Sequence, residues 1–467
     1  MITFSTPNPV PVLGMYQPDA IALFTALGED LIITANEGDA RDYDTFSEEA
    51  RVDDLVLDPV AFPNFRELQQ ETNLGRLEVT TVNGISSADV FTVNLSGEQE
   101  VPDAVTTEAT GDAVLRLNEA GTALTYNIKL EGIDVGSFFG TPQTDDTGDD
   151  LQALHFNNAD SGQNGPVAFG ILNPTQEDEL EVNYNPDGSV TLVGAWEVSD
   201  TANQPLTDFV DVLRAAENGA EVPLYLNVET EEFPAGEIRG QLTETTAYSE
   251  IYAYGARSFT IWDTDGNIIF DSGTELEAIT AEAFPEFFNS DNDENTFETR
   301  SDAKGPEPEG VVVGEINGKP YGFIGLERVG GIAVYDLTNP TQPEFIQYIN
   351  ERDFTVEAQL EDGSTNPAVG DLGPEGLLFI AAEDSPNGEP LLVVANEVSG
   401  TTSIFGINIE VETLPDTAPI YEIQGEGHIS PFLGATVTTS GIVTAVDSNG
   451  FYVQDPTGDG NPGFLTN

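Results

Sequence analysis

Three stretches of this chain repeat one another, and that repeat constrains the fold more than any single motif. In each, a proline, an acidic residue and a small residue open an apolar run; a second apolar run follows about 18 residues later and ends in Asn or Glu. The first copy runs from Gln17-Pro-Asp-Ala-Ile-Ala-Leu-Phe to Leu31-Ile-Ile-Thr-Ala-Asn-Glu, the second from Glu307-Pro-Glu-Gly-Val-Val-Val to Tyr321-Gly-Phe-Ile-Gly-Leu-Glu-Arg, and the third from Gly373-Pro-Glu-Gly-Leu-Leu-Phe-Ile to Leu391-Leu-Val-Val-Ala-Asn-Glu. A further strand follows, as in Gly331-Ile-Ala-Val-Tyr-Asp and Thr402-Ser-Ile-Phe-Gly-Ile, so each unit holds three or four antiparallel strands. Propeller blades have this anatomy. An ordinary sandwich, whose strands look alike because β-sequences draw on few residue types, stays open as the alternative.

Between Leu77-Glu-Val-Thr-Thr and Glu250-Ile-Tyr-Ala-Tyr the texture changes. Strands such as Phe91-Thr-Val-Asn-Leu, Leu124-Thr-Tyr-Asn-Ile-Lys-Leu, Val190-Thr-Leu-Val-Gly-Ala-Trp and Leu224-Tyr-Leu-Asn-Val alternate apolar and polar residues, as half-buried strands do. An inserted domain over residues 89–245 is expected, and insertion between two neighbouring strand ends costs little loop entropy. Helical periodicity of any length is rare, and Val52–Gln70 and Leu206–Ala216 are its best candidates.

A chain of 467 residues is long enough for two or three domains. Its 83 acidic residues oppose 14 basic ones, a formal charge of −69 spread along the chain. Such a field repels nucleic-acid phosphates and anionic lipid and is best tolerated where salt screens it, as in sea water or brine. No basic residue follows Arg352, which argues against nucleic-acid binding by the C-terminal part. No stretch reaches the roughly 20 apolar residues of a membrane span, and Met1-Ile-Thr-Phe-Ser-Thr-Pro has no signal-peptide character. The chain reads as a piece of a longer extracellular protein.

The segments Met1–Gly84 and Tyr248–Asn408 resemble the choice-of-anchor I family on Met15-Tyr-Gln-Pro-Asp-Ala-Ile, Thr34-Ala-Asn-Glu-Gly-Asp-Ala-Arg, Tyr254-Gly-Ala-Arg-Ser-Phe, Lys304-Gly-Pro-Glu-Pro-Glu-Gly, Gly325-Leu-Glu-Arg-Val-Gly-Gly and Val394-Ala-Asn-Glu-Val-Ser-Gly. The resemblance implies an extracellular β-propeller of bacterial type, with relatives among animal surface glycoproteins. The insert is similar to CHRD domains on Leu95-Ser-Gly-Glu-Gln-Glu-Val-Pro, Leu154-His-Phe-Asn-Asn-Ala, Gly165-Pro-Val-Ala-Phe and Phe233-Pro-Ala-Gly-Glu-Ile-Arg-Gly-Gln-Leu. That family often carries His-x-His where this chain has His155-Phe-Asn157, so the resemblance brings no metal role here. The tail, Ile423-Gln-Gly-Glu-Gly-His through Gly450-Phe-Tyr-Val-Gln-Asp-Pro, resembles the OB-like module of bacterial extracellular nucleases. The expected fold class is therefore all-β: a partial β-propeller over residues 1–88 and 246–418, an antiparallel β-sandwich over 89–245, and a truncated OB-like β-barrel over 419–467.

With no Cys and only His155 and His428, in separate domains, Ser-His-Asp, Cys-His and His/Cys zinc chemistry are excluded. Carboxylates, amides and arginines remain, a donor set for hard cations such as Ca²⁺. Equivalent blade positions point at one end of a shared axis. Asp19, Glu309 and Glu375 should therefore converge, and so should Asn36, Glu37, Glu327, Asn396 and Glu397. Of the 14 basic residues, Arg41, Arg257, Arg300, Lys304 and Arg328 lie in these motifs. The metal set is expected to be Asp19, Asn36, Glu37, Glu309, Glu375, Asn396 and Glu397. A reactive set of Arg328, Glu327, Arg41 and Lys304 would clamp a small phosphoester. The structural alternative is that Glu–Arg pairs and turn-capping Asp and Asn seal the channel. The acidic turns Asp263-Thr-Asp-Gly-Asn, Ser290-Asp-Asn-Asp-Glu-Asn and Asp455-Pro-Thr-Gly-Asp-Gly-Asn have oxygen spacing like Ca²⁺ loops, the first also reading as a hairpin turn.

Two functions follow. One is a secreted or cell-surface binding or adhesion module, with extracellular matrix or a surface polymer as partner. The other, implied by bacterial relatives described as alkaline-phosphatase-like, is a Ca²⁺-dependent phosphoesterase.

Overall fold

The computed structural model describes residues 10–408, 417–424, 432, 436–447 and 450–454. It is an all-β protein of two compact units, 1–405 and 406–467. Its longest described helix is Glu275–Ala283, and no helix among the described residues is long and apolar enough to cross a membrane.

Three of the small sheets of the first unit are built on the sequence repeat. In the second sheet, Ala20–Ala26 pairs with Glu29–Ala35, then Phe259–Asp263, then Ile268–Asp271. In the third, Pro308–Ile316, Lys319–Leu326, Ile332–Asp336 and Glu344–Ile349 follow in chain order, and in the fourth Pro374–Ile380, Leu391–Asn396 and Thr401–Gly406. The pairings of the second and third sheets, and that of Pro374–Ile380 with Leu391–Asn396, are antiparallel; Pro308↔Leu326 matches Pro374↔Asn396, and Ala20↔Ala35 matches Gly376↔Ala395, so the repeat copies share one register. The opening strands abut: Pro308–Ile316 touches both Ala20–Ala26 and Pro374–Ile380. Glycine permits that approach, because a Cβ on Gly310 would lie 2.2 Å from Glu375 O and one on Gly325 2.5 Å from Pro374 O. Phe24, Leu31, Ile33, Phe259, Ile261, Ile324, Leu326 and Tyr335 bury the space between the second and third sheets.

The first sheet, ordered Val12–Gly14, Ile251–Ala253, Glu78–Thr80, Glu49–Arg51, holds both ends of the insert side by side. Val79 faces Ala253, and Ile85 bridges Tyr248. The insert therefore leaves and rejoins at neighbouring points.

The insert itself departs from the expected two-sheet sandwich. Nine strands between Asp89 and Thr245 form one continuous antiparallel sheet, beginning with Val167–Leu172 at one edge and ending with Glu181–Tyr184 at the other. It curls until its ends meet: Trp196, on the strand next to one edge, stacks on Phe169 at the other, ring centroids 5.2 Å apart. Register shifts at Leu154/His155, Phe156/Asn157 and between Glu221 and Tyr225 supply bends, which alternation alone does not reveal. The insert is docked on the outer segment. Arg66 donates to Asn127 Oδ1 at 2.7 Å, Arg116 Nε donates to Asp58 Oδ2 at 2.8 Å, and Val90 and Val114 share a core with Val52, Leu57 and Phe65.

The helix expected over Val52–Gln70 does not form as one element. A 3-10 turn at Val52–Asp54 and a short helix at Phe65–Leu68 replace it, and between them Pro59 and Pro63 remove backbone donors. Leu206–Ala216 is helical in two pieces, Leu206–Asp208 and Val210–Arg214. In the second unit the described elements are a helix, Ile420–Gln424, and the hairpin Ile442–Asp447 with Gly450–Gln454. His428 and the acidic turn from Asp455 lie outside the described residues.

Candidate functional site

The repeat delivers its acidic residues to one place. Asp19, Glu37 and Glu309 each offer a carboxylate oxygen within 4.8 Å of the others, and Glu37, Glu307 and Glu327 form a second such group. Glu37 belongs to both. Glu309 is 8% exposed, and its Oε2 is buried with no hydrogen-bond partner. Burial, then the charges of Glu327, Glu37, Glu375 and Asp19, push its carboxyl up to about 9. Glu375 is raised by burial and by its neighbours Glu397 and Asp19. Asp19, Glu375 and Glu397 are solvent-exposed, so the group opens outward on that side.

Against it lies a second layer in which charges are paired. Glu307, wholly buried, meets three cations: Lys304 Nζ at 2.9 Å, Arg328 Nε at 3.2 Å and Arg300 Nη2 at 2.5 Å. Burial alone would raise the Glu307 carboxyl, but Lys304, Arg328 and Arg300 outweigh it and hold it below the usual range. The Arg328 contact is an ion pair without hydrogen-bond alignment. Lys304 also reaches Glu37 at 2.8 Å and Asp39 at 3.3 Å. Arg328 reaches Glu327 at 3.3 Å and Asp291 at 3.4 Å, and Arg300 reaches Asp291 at 3.6 Å. Burial and the adjacent carboxylates raise Glu327 to about 7 despite Arg328. Glu307 holds a left-handed backbone, φ 52°, a conformation that costs about 1–2 kcal/mol for a residue with a Cβ.

The remaining expected residues lie elsewhere. Arg41 pairs with Glu48 at 2.6 Å and sits over the Phe46 ring. Arg257 pairs with Glu277 at 3.0 Å and donates to Ser301 O and Ala303 O, tying down the loop that carries Lys304. Asn36 and Asn396 turn their amides into their own sheets. Asn36 Nδ2 donates to Ser258 Oγ and Thr260 Oγ1, whose hydroxyls donate to Asp271. Asn396 Nδ2 donates to Thr401 Oγ1 and Ser403 Oγ, which donate to Asp371. The same amide–hydroxyl–carboxylate lattice thus braces two repeat units, and these two asparagines are separate from the carboxylate group.

Glu307 and Asp291 are the central residues that the sequence reading passed over. Glu307 stands three residues after Lys304 in the repeat's own motif, a spacing that could have flagged it. Asp291, in a turn expected to resemble a Ca²⁺ loop, instead binds Arg300 and Arg328. The Asp263 turn is a hairpin turn: Asp263 Oδ1 accepts from the backbone N–H groups of Asp265 and Asn267. In the insert, Asp134, Asp149 and Asp150 also cluster, but the Asp134 carboxylate accepts from the N–H groups of Ser137, Gln143 and Thr144 and is a loop brace.

Comparison with known proteins agrees with this division. Residues 5–95 and 227–340 match the family model of the choice-of-anchor I domain, and residues 91–242 that of the CHRD domain. Gigasin-3a of Magallana gigas is 30% identical over 197 residues, 41% of this chain and 66% of that protein. The mesenchyme-specific cell surface glycoprotein of Strongylocentrotus purpuratus is 26% identical over 108 residues, 20% of this chain and 14% of that protein. The chain thus spans just under two thirds of the first relative and a small part of the second. A crystal structure of a functionally unknown protein from Desulfotomaculum acetoxidans DSM 771 covers 71% of this chain, and 73% of its own, at 13% identity and a TM-score of 0.15, too low to carry an argument. The two family models match in the order outer, inner, outer, so segments similar to a choice-of-anchor I domain flank a segment similar to a CHRD domain.

Proposed function

We propose that this chain is an extracellular or cell-surface binding module whose repeat sheets are blades around a common axis, with a Ca²⁺ ion held at that axis by Asp19, Glu37 and Glu309. The observation that carries the reading is Glu309, a carboxylate buried with an unpartnered oxygen among four other carboxylates. A hard divalent cation, which takes six to eight oxygens, suits such a donor set, and Glu375 and water would complete it. The surface location is supported by the choice-of-anchor I match and by a relative named as a cell surface glycoprotein. The anionic surface suits a saline medium, and extracellular matrix or a surface polymer is the partner class that fits an adhesion role.

The phosphoesterase reading is less well supported. Eight carboxylates (Asp19, Glu37, Asp39, Asp291, Glu307, Glu309, Glu327 and Glu375) face three cations (Arg300, Lys304 and Arg328), each already paired. An incoming phosphate would find no free guanidinium there and would meet Asp19, Glu309 and Glu375 first.

Calcium titration by calorimetry tests the proposal on the whole chain and on Glu309→Gln. A saturable heat that weakens at least tenfold in the variant is expected. A wild-type chain that takes up no Ca²⁺ sinks the cation reading, and Ca²⁺-dependent release of p-nitrophenol from its phosphate ester would restore the enzyme.

A further inference from the structure

The insert carries a second polar site, independent of the axial one. On the sheet face opposite its core, His155 and Asn157 stand beside Tyr225, Asn227 and Glu229, and these beside Arg239 and Gln241. All but Glu229 are buried.

His155 Nε2 lies 2.7 Å from Asn173 O. A carbonyl only accepts, so Nε2 carries the hydrogen and, in a neutral ring, Nδ1 carries the lone pair. That Nδ1 is buried with no hydrogen-bond partner, and it lies 3.7 Å from Glu229 Oε1. Two acceptors thus face each other. Asn227 Nδ2 reaches the same Glu229 oxygen at 3.5 Å and steadies it. Glu100, buried with its Oε1 unpartnered, interacts electrostatically with Arg239 and with Glu229. Arg239 does not neutralise Glu229, because its guanidinium is held by Gln163 O, Asn164 Oδ1 and the Tyr225 ring face.

A cation or a proton between the two acceptors would reconcile them, and their separation says what size fits. A water bonded to both at about 2.8 Å would set them roughly 4.5 Å apart. A tetrahedral ion bound at about 2.0–2.2 Å sets its ligands roughly 3.4 Å apart. A backbone carbonyl that fixes the far ring nitrogen is also the usual outer support of a metal-bound imidazole.

We propose that His155 Nδ1 and Glu229 bind a divalent transition ion of borderline softness, with water in the remaining positions. The competing occupant is a proton, which would make the pair an imidazolium and a carboxylate.

Long-range ¹H–¹⁵N spectra of the whole ¹⁵N-labelled chain decide between them, since only two histidines give ring signals. His155→Gln identifies which set belongs to His155. Added Zn²⁺ is expected to move that set to saturation at one equivalent. By calorimetry, Glu229→Gln should weaken Zn²⁺ roughly tenfold or more, while Ca²⁺ uptake stays as in the wild type. A His155 ring protonated on both nitrogens and unmoved by Zn²⁺ overturns the proposal in the wild-type chain, whether or not the variants fold. Zn²⁺ affinity unchanged in Glu229→Gln overturns it as well.

Discussion

Lys304 Nζ lies 2.8 Å from Glu37 Oε1, across 267 residues of sequence that contain the entire inserted domain. The contact joins the end of one repeat unit to the beginning of the next. Lys304 is 7% exposed and shares its charge with the fully buried Glu307, so the pairing stands largely out of reach of salt.

Glu307→Gln should be the most damaging single change in the centre. Three cations would lose the carboxylate they share, and removing one member of a buried ionic group costs about 3–5 kcal/mol. Urea unfolding followed by tryptophan fluorescence reads the loss. A change below about 1 kcal/mol would mean that Asp291, Glu37 and Glu327 suffice for these cations.

Asn36→Ala and Asn396→Ala separate bracing from binding. Each removes an amide from a buried hydroxyl lattice and should cost about 1–3 kcal/mol of stability. Ca²⁺ affinity should stay within about twofold of wild type, because neither side chain joins the carboxylate group. A tenfold loss at either position would make that asparagine a ligand, as its place in the repeat suggested.

Gly310→Ala tests the close approach of neighbouring sheets. The new methyl would meet Glu375 O at 2.2 Å, an overlap that backbone must relieve by moving. Overpacking of this kind costs about 1–3 kcal/mol, and parting Glu309 from Glu375 should weaken Ca²⁺ at the same time. Stability and affinity are expected to fall together, and thermal unfolding with and without Ca²⁺ checks both.

Glu177 contributes to the pH dependence of the insert. Burial raises its carboxyl, against the opposing hydrogen bonds from the Tyr126 hydroxyl and the N–H groups of Glu179 and Ala195. A carboxyl with a folded-state value above its unfolded 4.5 binds more protons when folded. Its contribution to stability is present below the unfolded value and declines as pH rises above it. In Glu177→Gln the urea midpoint should therefore fall less steeply over that range than in the wild type. A steeper fall would reverse the sign.

The repeat was legible because its local chemistry is the same in each copy. Pro18-Asp19, Pro308-Glu309 and Pro374-Glu375 open equivalent strands, with Pro308↔Leu326 matching Pro374↔Asn396 and Ala20↔Ala35 matching Gly376↔Ala395. Turn residues and apolar runs act over a few residues, so a sequence displays them directly. The insert's alternating strands were legible for the same reason. Its single curled sheet was not, because continuity of a ladder depends on bulges and on partners far along the chain.

By itself, then, the amino-acid order determined an all-β chain and its outer and inserted segments, since both follow from periodicity and local turn chemistry. Only the tertiary structure decided which charges neutralise one another. It gave Glu307 three cations, turned Asn36 and Asn396 into their own sheets, took Arg41 to Glu48, and set His155 against Glu229. Coulomb energy and hydrogen bonding act over a few ångströms in space, and residues tens to hundreds apart in sequence reach that distance only once the sheets have packed.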